Sequence, residues 1–406
     1  MGDIEARPAN APRLVGGNEA AHRDSIAPRL HEPVMRPGPP YVADRNAVVR
    51  LIAAAGFVLA IGLGALAATS SAAMPADGIA PPGLHVQGNL LVNTAGDTVQ
   101  LRGVSRSLAV SACIQGWAVL SPPSDQASID AIKTWRTNAV RVPLNEDCWL
   151  GINGAPSQSS GPVYQQAVTD YVNLINQNGL YAILDLHWNA PGDQLSSGQQ
   201  PMPDTDHAPA FWTGVASAFR DNNAVILELF NEPYPDEARD TPEAWTCWRD
   251  GGTCAGVSFP VAGMQTLVNT VRATGATNVI ALGGVRWSNF LSQWLAYAPS
   301  DPQNNLVASW HVYNFNTCSD VACYDNSVAP TAARVPVLAT EIGTNTCDAA
   351  FLNGLMGWLD ARHSGYLAWT WNTWGTDCAA GALVSDYAGT ATPYGEIYRS
   401  HLASFP

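Results

Sequence analysis

The sequence has no surplus of positive charge. Its 406 residues include 20 Lys and Arg against 34 Asp and Glu, which gives a formal net charge of −14 at pH 7. A nucleic-acid partner requires a basic face, so this balance argues against nucleic-acid binding. Residues 1–50 are nearly neutral, with seven Arg and six acidic residues, so the acidic excess lies downstream. The downstream part is therefore suited to a neutral ligand.

Cysteine is absent from the first 112 residues, and the eight that follow include no Cys-x-x-Cys pair and no nearby His cluster. A zinc site is therefore not expected. An even number of cysteines placed after an apolar segment instead predicts disulfides formed in an oxidising compartment. The sequence does not determine the pairing, and buried free thiols are the alternative. We expect two short loop disulfides and two longer ones, namely Cys247–Cys254, Cys318–Cys323, Cys113–Cys148 and Cys347–Cys378.

The sequence also lacks an internal repeat and a glycine-rich phosphate loop after its first strand, which disfavours a doubly wound open sheet. Eight short apolar strands instead alternate with helical stretches at an average spacing of about 38 residues, which predicts an α/β protein with a (β/α)8 TIM barrel over residues 84–406. The predicted strands span 100–105, 138–144, 180–187, 224–231, 278–284, 306–313, 336–341 and 366–371. The clearest helical stretches span 164–178, 208–220, 260–274 and 349–362.

Three segments precede this domain. Residues 1–46 are rich in Pro, Arg and Ala without periodicity, which predicts a disordered tail. Residues 47–73 include eighteen uncharged apolar or small residues, which predicts a signal peptide or a signal-anchor helix. We therefore expect a secreted protein, or one anchored to the outer face of the membrane that contacts it only through residues 47–68. Residues 74–83 form a linker, and the alternating residues after it predict a β-hairpin lid at the entrance to the domain.

Polar and aromatic residues recur at the carboxyl ends of the predicted strands. In a (β/α)8 barrel these ends surround the active site, so the residues are expected to converge on one pocket. They are Arg141, His187, Trp188, Asn231, Glu232, Trp310, His311, Tyr313, Glu341 and Trp371.

Two of these residues are carboxylic acids, as glycosidic bond cleavage requires. Glu232 ends strand four and Glu341 ends strand seven, so they can face each other across the barrel mouth. A retaining glycosidase holds such a pair about 5–5.5 Å apart, one as acid/base and one as nucleophile. Asn231 is suited to bind a sugar 2-hydroxyl, and Arg141 and Tyr313 are suited to keep Glu341 ionised.

The segment Leu227-Glu-Leu-Phe-Asn-Glu-Pro233 resembles the signature of glycoside hydrolase family 5, the cellulase family. Five more segments resemble that family's strand motifs in its own order, over roughly residues 84–402: Val140–Pro143, Leu184–Trp188, His311–Tyr313, Ala339–Gly343 and Trp369–Trp371. The resemblance implies that Glu232 is the acid/base and Glu341 the nucleophile. It also implies that neither a metal nor an organic cofactor takes part.

The same resemblance implies supporting roles for Arg141, His187 and His311. The alternatives are a structural ion partner for Arg141 and ordinary core histidines. Glu228 faces the same side as Glu232, and we interpret it as an interior ion partner of an Arg rather than as a catalytic group.

Tryptophan is the residue type best suited to stack on a sugar ring. The resemblance implies that Trp371 is such a platform, and Trp188 and Trp374 are two further candidates.

Some features depart from the family pattern. Ser105 stands where many cellulase-type relatives have Asn, and residues 234–259 predict a disulfide-tied insertion that would shape substrate specificity. A polar loop carries Asp204, Asp206 and His207, which could suggest a cation site. Loop carboxylates are usually only solvated, and we expect no metal there.

These observations predict a monomeric endo-acting β-1,4-glucanase that binds a β-linked oligo- or polysaccharide. A β-mannanase or another β-glucan hydrolase is the alternative within the same family. A different class, a non-catalytic membrane-tethered carbohydrate-binding protein, would have little reason to keep both glutamates.

Overall fold

The structure, a computed structural model, describes residues 80–405. The predicted tail 1–46, the predicted signal or anchor segment 47–73 and residues 74–79 lie outside the described residues. No helix between residues 80 and 405 is both long and apolar enough to cross a membrane.

Twelve strands are formed by the described residues, and eight of them build the core. They are β1 (Leu84–Gln87), β2 (Leu90–Asn93), β3 (Arg102–Ser105), β4 (Ala139–Asn145), β5 (Tyr181–Trp188), β6 (Val225–Glu228), β7 (Gly251–Gly252), β8 (Val261–Ala262), β9 (Ile280–Gly283), β10 (Leu306–Tyr313), β11 (Val337–Gly343) and β12 (Gly365–Ala368). Parallel strands β3, β4, β5, β6, β9, β10, β11 and β12 follow one another around a closed barrel, with β12 paired to β3. The predicted (β/α)8 barrel is thereby confirmed.

Helices alternate with the barrel strands and bury one face against them. They are α1 (Gln126–Lys133), α2 (Glu146–Leu150), α3 (Pro162–Gln177), α4 (Ala208–Phe219), α5 (Pro235–Ala238), α6 (Pro242–Asp250), α7 (Met264–Ala273), α8 (Trp294–Tyr297), α9 (Val321–Cys323), α10 (Ala329–Ala332), α11 (Ala349–Asp360) and α12 (Pro393–Leu402). The turns Tyr324–Val328 and Cys378–Ala380 are π-helical and 3₁₀-helical. Side-chain caps fix several starts: Asp348 accepts hydrogen bonds from the first turn of α11, and Thr392 does the same for α12.

The hairpin β1–β2 lies against the amino-terminal end of the barrel. Leu84 and Leu91 pack with the apolar residues at the starts of the barrel strands. The backbone N–H of Leu84 donates to Asn223 O at 2.8 Å, just before β6 begins, and that of Val86 donates to Asn305 Oδ1 at 2.7 Å, just before β10. The hairpin was predicted as a lid at the entrance, and the structure shows it closing the barrel end that carries no candidate catalytic residue.

Two strands end earlier than the sequence pattern predicts. β6 stops at Glu228 instead of residue 231, and β12 stops at Ala368 instead of residue 371. In both cases the chain leaves the regular ladder while it is still buried, so apolar composition continues where strand pairing has ended. The residues beyond these ends therefore no longer alternate between the two faces of the barrel wall.

All four disulfides form with the predicted pairing, and the alternative of free thiols is wrong. All four restrain segments that follow the carboxyl ends of barrel strands. The Cys113–Cys148 bond joins the loop after β3 to α2, and the Cys347–Cys378 bond joins the loops after β11 and β12. The bond Cys247–Cys254 closes the insertion over residues 234–259, as expected.

Candidate active site

Arg141 lies at the centre of the barrel mouth and is fully buried. Its Nε donates to Glu228 Oε2 at 2.6 Å, and its Nη1 donates to Glu341 Oε1 at 2.7 Å. Its Nη2 donates to both Asp185 Oδ2 and Asn231 Oδ1 at 2.8 Å. Five N–H groups in a planar fork allow one guanidinium to hold several groups at once. Glu228 is therefore the interior ion partner that the sequence predicted.

Glu341, at the end of β11, is held by two donors and is only 4% exposed. Besides the bond from Arg141, its Oε2 accepts a hydrogen bond from the Tyr313 hydroxyl at 2.6 Å. Burial opposes ionisation of this carboxyl, but the charges of His311 and Arg141 outweigh burial, so the pKa of Glu341 lies below its ordinary value. Its carboxylate is therefore ionised and fixed in direction.

His311 stands between the two glutamates. Its Nδ1 is 3.0 Å from Glu232 Oε1 and 3.7 Å from Glu341 Oε2, while its Nε2 is 3.0 Å from Thr340 Oγ1. Burial would lower the pKa of His311, but the nearby carboxyl groups of Glu341, Glu228 and Glu232 raise it to about 10. The resulting positive charge stabilises the Glu341 carboxylate, and one oxygen of each glutamate and a ring nitrogen of His311 all lie within 4.8 Å of one another.

Glu232 is the more open member of the pair, with 24% of its side chain exposed. Gln199, from the loop after β5, fixes the backbone at Glu232: its Nε2 donates to Glu232 O at 2.8 Å, and its Oε1 accepts from Asn231 Nδ2. One N–H of the Asn231 amide remains for another partner. Sequence reasoning missed Gln199, because a glutamine in a polar loop carries no distinguishing signal.

His187 forms one wall of the site with an aromatic partner. Its Nδ1 lies 2.8 Å from Asp185 Oδ2, and its ring stacks on Trp369 at a centroid distance of 5.4 Å and an interplanar angle of 3°. Burial would lower the pKa of His187, but the Asp185 charge and hydrogen bond raise it. Sequence reasoning assigned no role to Asp185, which lies in the segment Leu184–Trp188. Its position two residues before His187 on β5 places both side chains on the same face of the strand, and this spacing could have identified it.

The prediction that Trp371 is a sugar platform is wrong. Trp371 is completely buried and its ring packs edge-on against Trp135, with 4.8 Å between centroids. Because β12 ends at Ala368, strand alternation does not carry the inward face on to residue 371. The nearby Trp369 is 7% exposed, and the centroid of its ring lies 6.2 Å from that of Trp374.

A second aromatic pair lies beside Glu232 and was also missed. The rings of Tyr234 and Trp287 stack at 5.3 Å, and Trp287 is 38% exposed. The backbone N–H of Trp287 donates to Pro233 O at 2.9 Å, which fixes this pair next to the Asn-Glu-Pro segment.

The structure thus brings together seven of the predicted polar residues, whereas Trp371 is buried against Trp135, and Trp310, also predicted to face the pocket, is buried against Tyr324 and Trp358. Trp188, at the end of β5, and Trp374 are partly exposed. The seven are Arg141, His187, Asn231, Glu232, His311, Tyr313 and Glu341.

Solved barrels share this architecture. The structure is similar to that of a native β-glucanase, SdGluc5_26A from Saccharophagus degradans, with a TM-score of 0.61 and 18% identity, covering 80% of this chain and 94% of that one. It is also similar to a β-mannanase from Thermomonospora fusca, with a TM-score of 0.59 and 21% identity, covering 80% and 97% of the two chains. At this identity the likeness shows the fold alone.

The sequence family is shown directly. The model of the cellulase family, glycosyl hydrolase family 5, matches residues 92–375, and the chain belongs to this family. It is 26% identical to Endoglucanase CelA of Streptomyces lividans, covering 71% of this chain and 56% of the relative. It is 28% identical to Manganese dependent endoglucanase Eg5A of Phanerodontia chrysosporium, covering 73% and 74%. The chain spans about half the length of the first curated relatives it matches, from 43% to 57%.

Proposed function

We propose that the protein is a retaining endo-β-1,4-glucanase, with Glu341 as nucleophile and Glu232 as acid/base. The closeness of the two glutamates carries this proposal, because one carboxyl oxygen of each lies within 4.8 Å of the other, a close approach of the kind that a retaining pair makes. A retaining pair is about 5–5.5 Å apart, whereas an inverting pair needs about 6.5–9.5 Å to admit a water molecule. The different settings of the two groups support the assignment of roles.

In the first step, Glu341 attacks the anomeric carbon and Glu232 protonates the departing glycosidic oxygen. Arg141 and Tyr313 support the nucleophile, because both donors point at its carboxylate and hold it ionised before substrate arrives. The bond from Glu341 to the anomeric carbon forms as the glycosidic bond breaks, and the proton moves from Glu232 to the leaving hydroxyl.

In the second step, Glu232 removes a proton from a water molecule that attacks the same carbon and releases Glu341. The greater exposure of Glu232 suits this role, because it must meet the leaving group and then water. His311, 3.0 Å from Glu232 Oε1, is suited to stabilise the carboxylate that Glu232 becomes between the two steps. Two inversions at one carbon retain the anomeric configuration.

We assign the sugar contacts by position. Trp369, stacked on His187, is suited to form the platform beside the nucleophile, and the remaining N–H of Asn231 is suited to bind the 2-hydroxyl of the reacting sugar. The pair Tyr234–Trp287 follows the acid/base and is suited to stack on the leaving-group side. Trp188 and Trp374 are candidates for more distant sugars.

A glucan is the substrate we favour over a mannan, since sequence relatives of this chain are named endoglucanases and a cellulase. One solved protein of the same fold is a β-glucanase in complex with cellotetraose, and a second is a β-mannanase in complex with mannotriose. The mannanase alternative therefore remains the second candidate.

Four disulfides support our proposal that the protein acts outside the cytoplasm, either secreted or anchored to the membrane. We also propose that it is a monomer.

The direct test is to incubate the protein with cellulose, mixed-linkage glucan, glucomannan and mannan, and to follow the first-formed anomer by proton NMR. We expect cleavage of glucans with initial release of the β-anomer, and loss of cleavage in Glu341→Gln and Glu232→Gln. The variant Glu237→Gln, an exposed carboxylate 74% open to solvent, is the matched control and should retain activity. Initial release of the α-anomer would overturn the mechanism, and cleavage of mannan alone would overturn the substrate.

A further inference from the structure

Three side chains of the types that bind metal ions lie close together on segments that follow two neighbouring barrel strands. Glu146 begins α2, directly after β4, while Asp204 and His207 come from the loop between β5 and α4. One potential ligand atom from each of the three lies within 4.8 Å of the others. Glu146 and Asp204 are completely buried, and His207 is partly exposed. Of the three side chains, only that of His207 is therefore reached by solvent.

Two buried oxygen atoms at this group have no hydrogen-bond partner. Glu146 Oε2 accepts from the backbone N–H of Ala190 at 3.2 Å, but Glu146 Oε1 has no donor. Asn189 is also completely buried: its Nδ2 donates to Asp204 Oδ2 at 2.9 Å, while its Oδ1 is without a partner. Buried polar atoms are nearly always satisfied, so an unpartnered oxygen on Glu146, and another on the Asn189 amide that is bonded to Asp204, point to a partner such as a cation.

The charges point in the same direction. Among the ion pairs of residues 80–405, no Lys or Arg reaches either carboxyl group, and His207 Nδ1 is 3.7 Å from Asp204 Oδ1. These two buried carboxyl groups therefore have no Lys or Arg partner within the described residues, and a bound cation would supply the missing positive charge.

We propose that Glu146, Asp204 and His207, together with Asn189 Oδ1, bind one divalent transition-metal ion such as Zn²⁺ or Mn²⁺. Carboxylate and amide oxygens accept many divalent ions, whereas an imidazole ligand favours transition metals over Ca²⁺ and Mg²⁺. The ligands come from the segments after β4 and after β5, so the ion joins two loops of the catalytic mouth.

The joined loop also carries Gln199, which contacts both Asn231 and Glu232. Bound metal would therefore restrain the segment that supports the proposed acid/base, without touching the reacting atoms. Its effect is expected on stability first and on activity second. The inference does not depend on the proposed function, because metal binding is measured without substrate.

The test uses the full chain, treated with a chelator and dialysed, and titrated with ZnCl₂ and MnCl₂ by calorimetry and thermal unfolding. We expect one high-affinity site and a rise in Tm on the order of 5 °C at a hundredfold excess over Kd. CaCl₂ and MgCl₂ should produce a much smaller rise. The conservative variant Glu146→Gln should weaken binding by roughly a hundredfold while folding without metal, since it removes one buried charge.

Two further variants locate the ion. Asp206→Asn changes an exposed carboxylate two residues from Asp204 and should bind metal as the wild type does. Glu341→Gln tests the other group of potential ligands, formed by Glu232, His311 and Glu341. Loss of binding in Glu341→Gln with normal binding in Glu146→Gln would overturn the proposal. So would a wild-type protein whose Tm is the same with and without these ions.

Discussion

Replacing Tyr313 with Phe removes one hydroxyl from the site and leaves the ring in place. That hydroxyl donates to Glu341 Oε2 at 2.6 Å, inside a fully packed environment. It stabilises the ionised carboxylate, so its removal raises the pKa of Glu341. Because the proposed nucleophile must be ionised, the acid limb of the pH–rate profile should move to higher pH.

The size of this shift follows from the hydrogen bond. A bond to a charged group contributes about 1.5–3 kcal/mol, and 1.36 kcal/mol corresponds to one pKa unit. The acid limb should therefore move up by about 1–2 pH units. At a pH well below both limbs, kcat/KM relative to each enzyme's own plateau should be roughly 10 to 150 times lower in the variant.

The assay is kcat/KM for a soluble chromogenic β-cellobioside from about pH 3 to 9, with thermal unfolding measured at each pH to confirm that the variant is folded. Tyr394→Phe is the matched control. It is an equally buried tyrosine whose hydroxyl donates to Ile342 O at 2.9 Å, one residue along the same strand from Glu341. An acid limb that stays in place in Tyr313→Phe, or moves equally in both variants, would refute this reasoning.

Three more predictions concern the rest of the domain. Trp369→Ala and Trp371→Ala should both lower the free energy of unfolding by about 3–5 kcal/mol, because both rings are buried, but only Trp369→Ala should raise KM. Steady-state kinetics separate the two, and a KM raised only in Trp371→Ala would restore the original role of Trp371. Replacing Cys347 and Cys378 by Ala opens a 31-residue loop and should cost about 3–4 kcal/mol in the same unfolding measurement, and an unchanged midpoint would contradict this. Because the pKa of His311 is raised to about 10, protonation of this ring stabilises the folded state fully below pH 6.5, and this contribution is lost as the pH rises to about 10. His311→Asn should therefore flatten the decline of the unfolding free energy over this pH range. An equally steep decline in the variant would show that other groups cause it.

The positions of the barrel strands could be predicted from sequence, because buried parallel strands are short apolar runs between turn signals. The strand ends then placed the polar residues at one mouth, and Glu232 and Glu341 fell within reach of each other. The disulfide pairing was also predicted, although spacing alone left other pairings open. These features depend on local composition and on the topology of the barrel.

The remaining features depend on contacts that no local pattern encodes. Apolar composition continues past Ala368, so periodicity placed Trp371 inside the pocket although the strand had already ended. Gln199 contacts Asn231 across 32 residues of chain, and a single polar residue in a loop gives no sign of such a contact. The unpartnered oxygen of Glu146 became visible only when α2 and the loop after β5 were brought together.

The most direct test of the proposed mechanism is to trap the glycosyl-enzyme. The protein is incubated with a 2-deoxy-2-fluoro-β-cellobioside that has a good leaving group, and the intact mass and the labelled peptide are determined by mass spectrometry. We expect the addition of one 2-deoxy-2-fluorocellobiosyl group, located on Glu341, and no labelling of Glu341→Gln. A label on another residue, or release of the leaving group without any covalent adduct, would contradict it.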